Sequence, residues 1–102
     1  MVNKNNGMLT AEQLESVSEY FKAFSDPTRL KILYLLAGET NLDVGTIASR
    51  LEMTDSAISH QLKKLKQTRL IASERKGKFV LYRLDDDHIG TTLMQAVEHI
   101  SE

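Results

Sequence analysis

Between Thr10 and Ser25 apolar side chains recur at three- and four-residue spacing, at Leu14, Val17, Tyr20, Phe21 and Phe24, the period of one face of an α-helix. The pattern Thr10-x-x-Gln13 is a capping box and opens that helix. Asp26-Pro27 then supplies an N-cap followed by proline at the first helical position, where its missing N–H is not needed. A second helix runs through Leu30, Ile32, Leu33, Leu35 and Leu36 and stops at Gly38. Asp43 caps a short third helix carrying Ile47, Ala48 and Leu51. Thr54 caps a fourth, from Asp55 to Gln67, with Ala57, Ile58, Leu62 and Leu65 on its inner face.

After Leu70 the period changes. Ile71 to Ser73 and Phe79 to Tyr82 are short β-prone runs joined by Glu74-Arg75-Lys76-Gly77-Lys78, which predicts a hairpin with a five-residue turn. The acidic run Asp85-Asp86-Asp87 suits a helix N-terminus. It starts a last helix with Ile89, Leu93, Ala96, Val97 and Ile100 on one stripe. No later element covers that stripe, so a second copy of the chain is expected to do so. Residues 1 to 9 are polar and expected to be flexible, leaving one domain over 10 to 102. The expected fold is mainly α with a small β-hairpin: a winged helix-turn-helix of three helices, a reading helix, two strands and a last helix, acting as a homodimer.

Composition narrows the function. At 102 residues and 41% apolar content the chain holds one small core, which gains from a partner subunit. No run approaches the roughly 18 apolar residues of a membrane span, and the N-terminal stretch lacks a signal peptide's apolar segment. A cytoplasmic protein without a membrane partner is expected. The absence of cysteine excludes disulfides, thiolate metal sites and cysteine nucleophiles.

A net charge of -1 argues against a nucleic-acid partner until the charges are sorted by position. Residues 50 to 78 carry Arg50, Lys63, Lys64, Lys66, Arg69, Arg75, Lys76 and Lys78 against Glu52, Asp55 and Glu74. The acids are concentrated elsewhere, so a basic footprint is hidden in a nearly neutral total. Two short helices joined by a tight turn form a helix-turn-helix whose second helix enters the major groove. On that helix Ser56, Ser59, His60 and Gln61 are candidates for base edges or phosphates, Asp55 lies on the DNA-facing side, and Lys63, Lys64 and Lys66 supply charge. By itself this stretch also fits a solvated amphipathic helix. The basic hairpin directly after it turns the balance, because Arg75, Lys76 and Lys78 around Gly77 form a wing along the backbone or minor groove. The partner implied is double-stranded DNA with a near-palindromic operator.

The last helix carries a second constellation, Asp86-x-His88 at its start and His99-x-x-Glu102 at its end. The two histidines share a helix face but lie about 16 Å apart along the axis, too far to ligate one ion at the Zn–N distance of about 2.0 Å. Two antiparallel copies of the helix resolve the conflict. Asp86 and His88 of one chain would meet His99 and Glu102 of the other, giving two symmetric sites of two nitrogens and two oxygens suited to Zn(II) or Co(II). Taken singly, such histidines are usually solvated and such acids are usually caps; the set of four is more specific than any member.

Together, Phe24-Ser25-Asp26-Pro27-Thr28-Arg29-Leu30-Lys31-Ile32-Leu33, Ser56-x-x-Ser59-His60-Gln61-Leu62-Lys63-x-Leu65 and the four metal positions resemble the ArsR/SmtB family, in its zinc- and cobalt-sensing branch. The resemblance spans about Leu14 to Glu102. It implies a winged-helix homodimer that represses metal efflux or sequestration genes and leaves DNA when zinc binds. It further implies coupling from His99 to the backbone near Arg69. The family's thiolate site cannot exist here, since the corresponding region reads Leu42-Asp43-Val44-Gly45. Asp55 departs from the amide that relatives often carry, which bears on operator preference. Two other readings stay open: a zinc hydrolase, which lacks an H-E-x-x-H motif or any evident base, and a winged-helix module for protein contacts with a structural metal or none.

Overall fold

In the computed structural model, which describes residues 7–102, five helices and one antiparallel hairpin follow the expected order. α1 (Ala11–Ser25) opens on Thr10, whose hydroxyl accepts from the Gln13 amide at 3.0 Å while the Gln13 side chain accepts from the Thr10 amide. Asp26 separates α1 from α2 (Pro27–Gly38), and its carboxylate accepts from the Arg29 amide at 2.9 Å. α3 (Val44–Leu51) is capped by Asp43, which accepts from Thr46 N at 2.9 Å. α4 (Asp55–Gln67) is capped by Thr54, which accepts from Ala57 N at 3.1 Å. Each cap satisfies a helix-end donor that would otherwise lack a partner, a contribution of about 1 kcal/mol apiece.

The hairpin is longer than its β-prone runs. β1 (Ile71–Lys76) and β2 (Phe79–Leu84) pair from Ile71–Leu84 to Lys76–Phe79. Arg75 and Lys76, expected in the turn, therefore lie in a strand, and the turn is only Gly77-Lys78. Cross-strand partners Val80, Leu81 and Phe79 outweigh the poor strand propensity of the charged residues. Gly77 at φ +62° takes the first position of a two-residue turn, the conformation a type II′ hairpin asks of glycine. Nothing local in the sequence signals a third contact on this sheet: Leu42 exchanges backbone hydrogen bonds with Tyr82 at 2.8 and 3.1 Å, pinning the segment before α3 to β2.

α2 lies at the centre of the core. Ile32, Leu33 and Leu36 meet Ile47 and Ala48 of α3, Ile58, Leu62 and Leu65 of α4, Leu70 and Ile71 at the base of the wing, and Ile89 and Leu93 of α5 (Asp87–Ser101). The stripe on α5 is thus divided, against the expectation that a partner covers all of it. Ile89 and Leu93 are buried in their own chain, Val97 is half-buried, and Ala96 and Ile100 are exposed. Helical period identifies the apolar face without specifying which chain covers it. α1 is divided too: Ala23 is buried, Tyr20 and Phe24 pack partly, and Leu14, Val17 and Phe21 face outward. Of the segment expected to be flexible, residues 1–6 lie outside the described residues.

Candidate nucleic-acid interface and metal centre

The turn between α3 and α4 fixes the angle at which α4 is presented. Glu52 adopts a left-handed conformation at φ 55°, and Met53 N donates to Ala48 O at 2.9 Å, closing the end of α3. α4 then buries Ile58, Leu62 and Leu65 and exposes Asp55, Ser56, Ser59, His60, Lys63 and Lys64. Positions 56, 59, 60 and 63 fall on one face by helical spacing. Gln61 departs from the rest of the expected reading set. It is half-buried, and its side-chain carbonyl oxygen is buried without a hydrogen-bond partner.

The structure also sorts the basic charges. Arg50 forms a two-pronged ion pair with Glu39, one arm at 2.9 Å, which ties the loop after α2 to the end of α3. The same guanidinium holds the Glu39 carboxyl below its ordinary pKa, and Glu39 in turn raises that of Arg50. Lys66 Nζ donates to Ser73 Oγ at 2.6 Å, tying α4 to the wing. Arg75, Lys76 and Lys78 are exposed at the wing tip, with Lys78 Nζ 5.5 Å from the Phe79 ring centroid. Among the described basic residues of 50–78, Lys63, Lys64, Arg69, Arg75, Lys76 and Lys78 are exposed and in no ion pair, so α4's outer face, the turn after it and the wing carry the unpaired charge of this segment. Sequence reading missed the Lys66–Ser73 bond and the half-exposed Phe79; an aromatic beside a glycine turn in a basic hairpin was the available signal for the latter.

At the metal positions the structure gives two halves. Asp86 caps α5 by accepting from His88 N at 2.8 Å, and His88 Nδ1 lies 3.4 Å from Asp86 Oδ1. At the other end His99 Nδ1 lies 3.8 Å from Glu102 Oε2. Both imidazoles are almost wholly solvent-exposed. Among the described residues no three potential ligands of one chain come together. Each end of α5 supplies one nitrogen and one carboxylate, a donor set that fits half of a tetrahedral site. Arg69 occupies a left-handed position, φ 61°, in the turn after α4. Its neighbour Leu70 accepts a hydrogen bond from the amide of Asp85, immediately before the Asp86 cap.

A helix-turn-helix presenting a polar and basic outer face, followed by a basic two-stranded wing, defines a winged-helix DNA-binding protein. Residues 26–73, from the α2 cap into β1, match the family model described as bacterial regulatory protein, arsR family. The chain is 33% identical over 95 residues to a transcriptional repressor SmtB homolog of Synechocystis sp., covering 93% of this chain and 71% of that protein. It is 36% identical over 101 residues to a cadmium resistance transcriptional regulatory protein CadC homolog of Staphylococcus aureus, covering 99% and 84%. The solved homodimeric winged helix-turn-helix DNA-binding domain of a Mycobacterium bovis protein superposes with a TM-score of 0.84 at 28% identity, over 90% of this chain and 84% of that one. This chain belongs to the ArsR family and is a transcriptional regulator, not an enzyme.

Proposed function

We propose that the protein is a homodimeric repressor that binds a near-palindromic operator and releases it when Zn(II), or Co(II), binds between subunits. The observation that carries the reading is the position of two half-sites at opposite ends of one helix. Asp86 and His88 of one subunit, with His99 and Glu102 of the partner subunit, would hold the ion, which supplies a cross-link between the two last helices. Relatives named as SmtB and cadmium-resistance regulators support a metal as effector, and the absence of cysteine favours a nitrogen and oxygen site.

Support for the dimer comes from the apolar residues that the chain leaves uncovered on its first and last helices, Leu14, Val17, Phe21, Met94 and Ile100, and from the homodimeric neighbour. Two reading helices about 34 Å apart then address successive major grooves. Ser56, Ser59 and His60 meet bases, Asp55 and Gln61 help orient the start and middle of the helix, and Lys63, Lys64, Arg75, Lys76 and Lys78 meet phosphates. Release follows from linkage: a dimer that binds metal better in its DNA-incompetent form must bind DNA less well when loaded. A hundredfold loss requires about 2.7 kcal/mol. His99 and the backbone around Arg69 are the proposed coupling elements. Efflux or sequestration genes are the regulated class, and the cytoplasm is the proposed location. The test is a fluorescence titration of a labelled palindromic duplex with and without buffered zinc. Zinc-dependent dissociation is expected; a duplex that stays bound at saturating zinc rejects the reading.

A further inference from the structure

Among the described residues most exposed large apolar side chains lie on α1, on α5 or just before α1, with Tyr34 on α2. Phe79 stands apart from them. It is 48% exposed, begins β2 immediately after the Gly77-Lys78 turn, and pairs across the ladder with Lys76. Directly opposed residues of a ladder share one face, so the phenyl ring and the Lys76 side chain emerge on the same side of the wing tip. Lys78 reaches over the ring at 5.5 Å. A side chain built on Gly77 would meet no atom within 4 Å, which places the turn in open space. The tip is therefore a small apolar wedge beside Lys76 and Lys78, with Arg75 on the opposite face of the strand and Glu74 as the one acid in the hairpin.

We infer that Phe79 is a minor-groove wedge, which inserts at a base step on the flank of each half-site while the neighbouring cations hold the two phosphate backbones. The inference rests on the DNA-binding reading above and deepens it by assigning the contact that the wing makes. The occupant follows from charge and shape. Cations flanking an exposed phenyl ring, Lys76 across the ladder and Lys78 over the ring, suit a polyanion whose charges flank an apolar interior. The minor groove, about 6 Å wide, has phosphates on both walls and stacked bases at its floor. Phenylalanine is among the side chains that unstack such steps and bend the duplex. Flexible pyrimidine–purine steps are the easiest to open, so the wedge would favour them in the flanks without any hydrogen bond to a base.

The experiment uses the full chain and duplexes recovered by selection from a randomised pool, with 2-aminopurine placed in turn at each flanking step and dyes at the two ends. Wild type should raise 2-aminopurine fluorescence at one flanking step per half-site and shorten the end-to-end distance. Phe79→Ala should lose both signals and about tenfold in affinity while keeping the salt dependence, since no charge is removed. Phe79→Leu should keep most of each signal. Lys76→Met should do the converse, lowering the salt slope by about one and retaining the fluorescence rise. Wild-type fluorescence and affinity in Phe79→Ala overturn the inference. Conversion of that variant to monomer overturns it too, by placing the ring in a subunit interface. If wild type binds no selected duplex, the functional reading itself fails; if it binds and only the wedge signals are absent, the inference alone does.

Discussion

The backbone amide of Asp85 donates to the carbonyl of Leu70 at 3.0 Å, joining the residue before the α5 cap to the turn that leaves the reading helix. Leu70 N in turn donates to Leu65 O of α4 at 3.0 Å. The Asp86–His88 end of α5 is thus two hydrogen bonds from the reading helix within a single chain. Restraint applied at that end should reach α4 by a short path. Zinc is expected to slow hydrogen exchange at the Asp85 and Leu70 amides more than at Leu42, whose bonds to Tyr82 lie elsewhere on the sheet. Equal slowing at all three amides would point to general tightening and remove this path from the account.

The division of α5 changes the choice of variant for testing self-association. Leu93 is 3% exposed, and a charge placed there would unfold the subunit by burying an unpaired carboxylate. Ile100 at 81% and Phe21 at 55% exposure lie outside the core, Phe21 contacting only the rings of Tyr20 and Phe24 on its own helix among the aromatics. Ile100→Glu combined with Phe21→Glu should keep the helical circular dichroism spectrum while converting the dimer to monomer at low micromolar concentration in sedimentation velocity, with a lower melting temperature because the partner's stabilisation is lost. A variant that still sediments as a dimer places the interface on other surfaces.

The parts legible in the sequence were those specified by neighbours in the chain. Thr10, Asp26, Asp43 and Thr54 each announce a helix start within three residues, and all four caps form. What escaped depended on distant partners. The pairing of Arg75 and Lys76 with Val80 and Phe79 extends a strand that composition alone would end. The Leu42–Tyr82 bridge joins residues forty positions apart in a segment without strand character. Gln61 was grouped with the reading residues because helical position and polarity agreed, yet its carbonyl oxygen turns inward. Asp86 with His88 and His99 with Glu102 are legible as two spaced pairs, and in the structure each pair is a close contact at one end of α5.

Binding to DNA should weaken steeply with salt, through the exposed cations proposed as phosphate contacts. Removal of Lys63, Lys64, Arg75, Lys76 or Lys78 singly is expected to lower the slope of log affinity against log salt by about one. Arg50→Met should leave the slope unchanged, because the Glu39 carboxylate already neutralises that side chain. Fluorescence anisotropy across a salt series measures each slope. A drop for Arg50→Met equal to that for Lys63→Met would count against this sorting.

Asp43 links the start of the helix-turn-helix to pH. Hydrogen bonds from Thr46 hold its carboxyl below the ordinary value of 3.8. A carboxylate with a lowered folded pKa contributes stability above its unfolded value and loses it as pH falls through the folded one. Asp43→Ala is expected to cost about 1 kcal/mol near neutral pH through loss of the cap. The gap between the two proteins should close progressively below pH 3.8. Urea melts at several pH values test this, and a gap of constant size down to the acid limb would mean that the cap acts without its charge.

The proposed intersubunit metal site makes a prediction that a site within one chain does not. His88→Ala and His99→Ala homodimers should each bind operator as wild type does, since neither residue lies on α4 or the wing, and each should fail to release it with zinc because both symmetric sites have lost a ligand. In a heterodimer of one subunit of each kind the two losses fall in the same site. The other site receives an intact Asp86 and His88 from the His99→Ala subunit and an intact His99 and Glu102 from the His88→Ala subunit. Mixing the variants by unfolding and refolding together, with distinct affinity tags to isolate the mixed species, should therefore restore one zinc per dimer and a measurable part of the release. Wild type should bind two and each variant homodimer none at the same buffered zinc. A site built within one chain gives a mixed dimer with both sites broken, and a mixed dimer that binds no zinc would reject the arrangement across subunits while leaving the four residues as candidates in some other pairing.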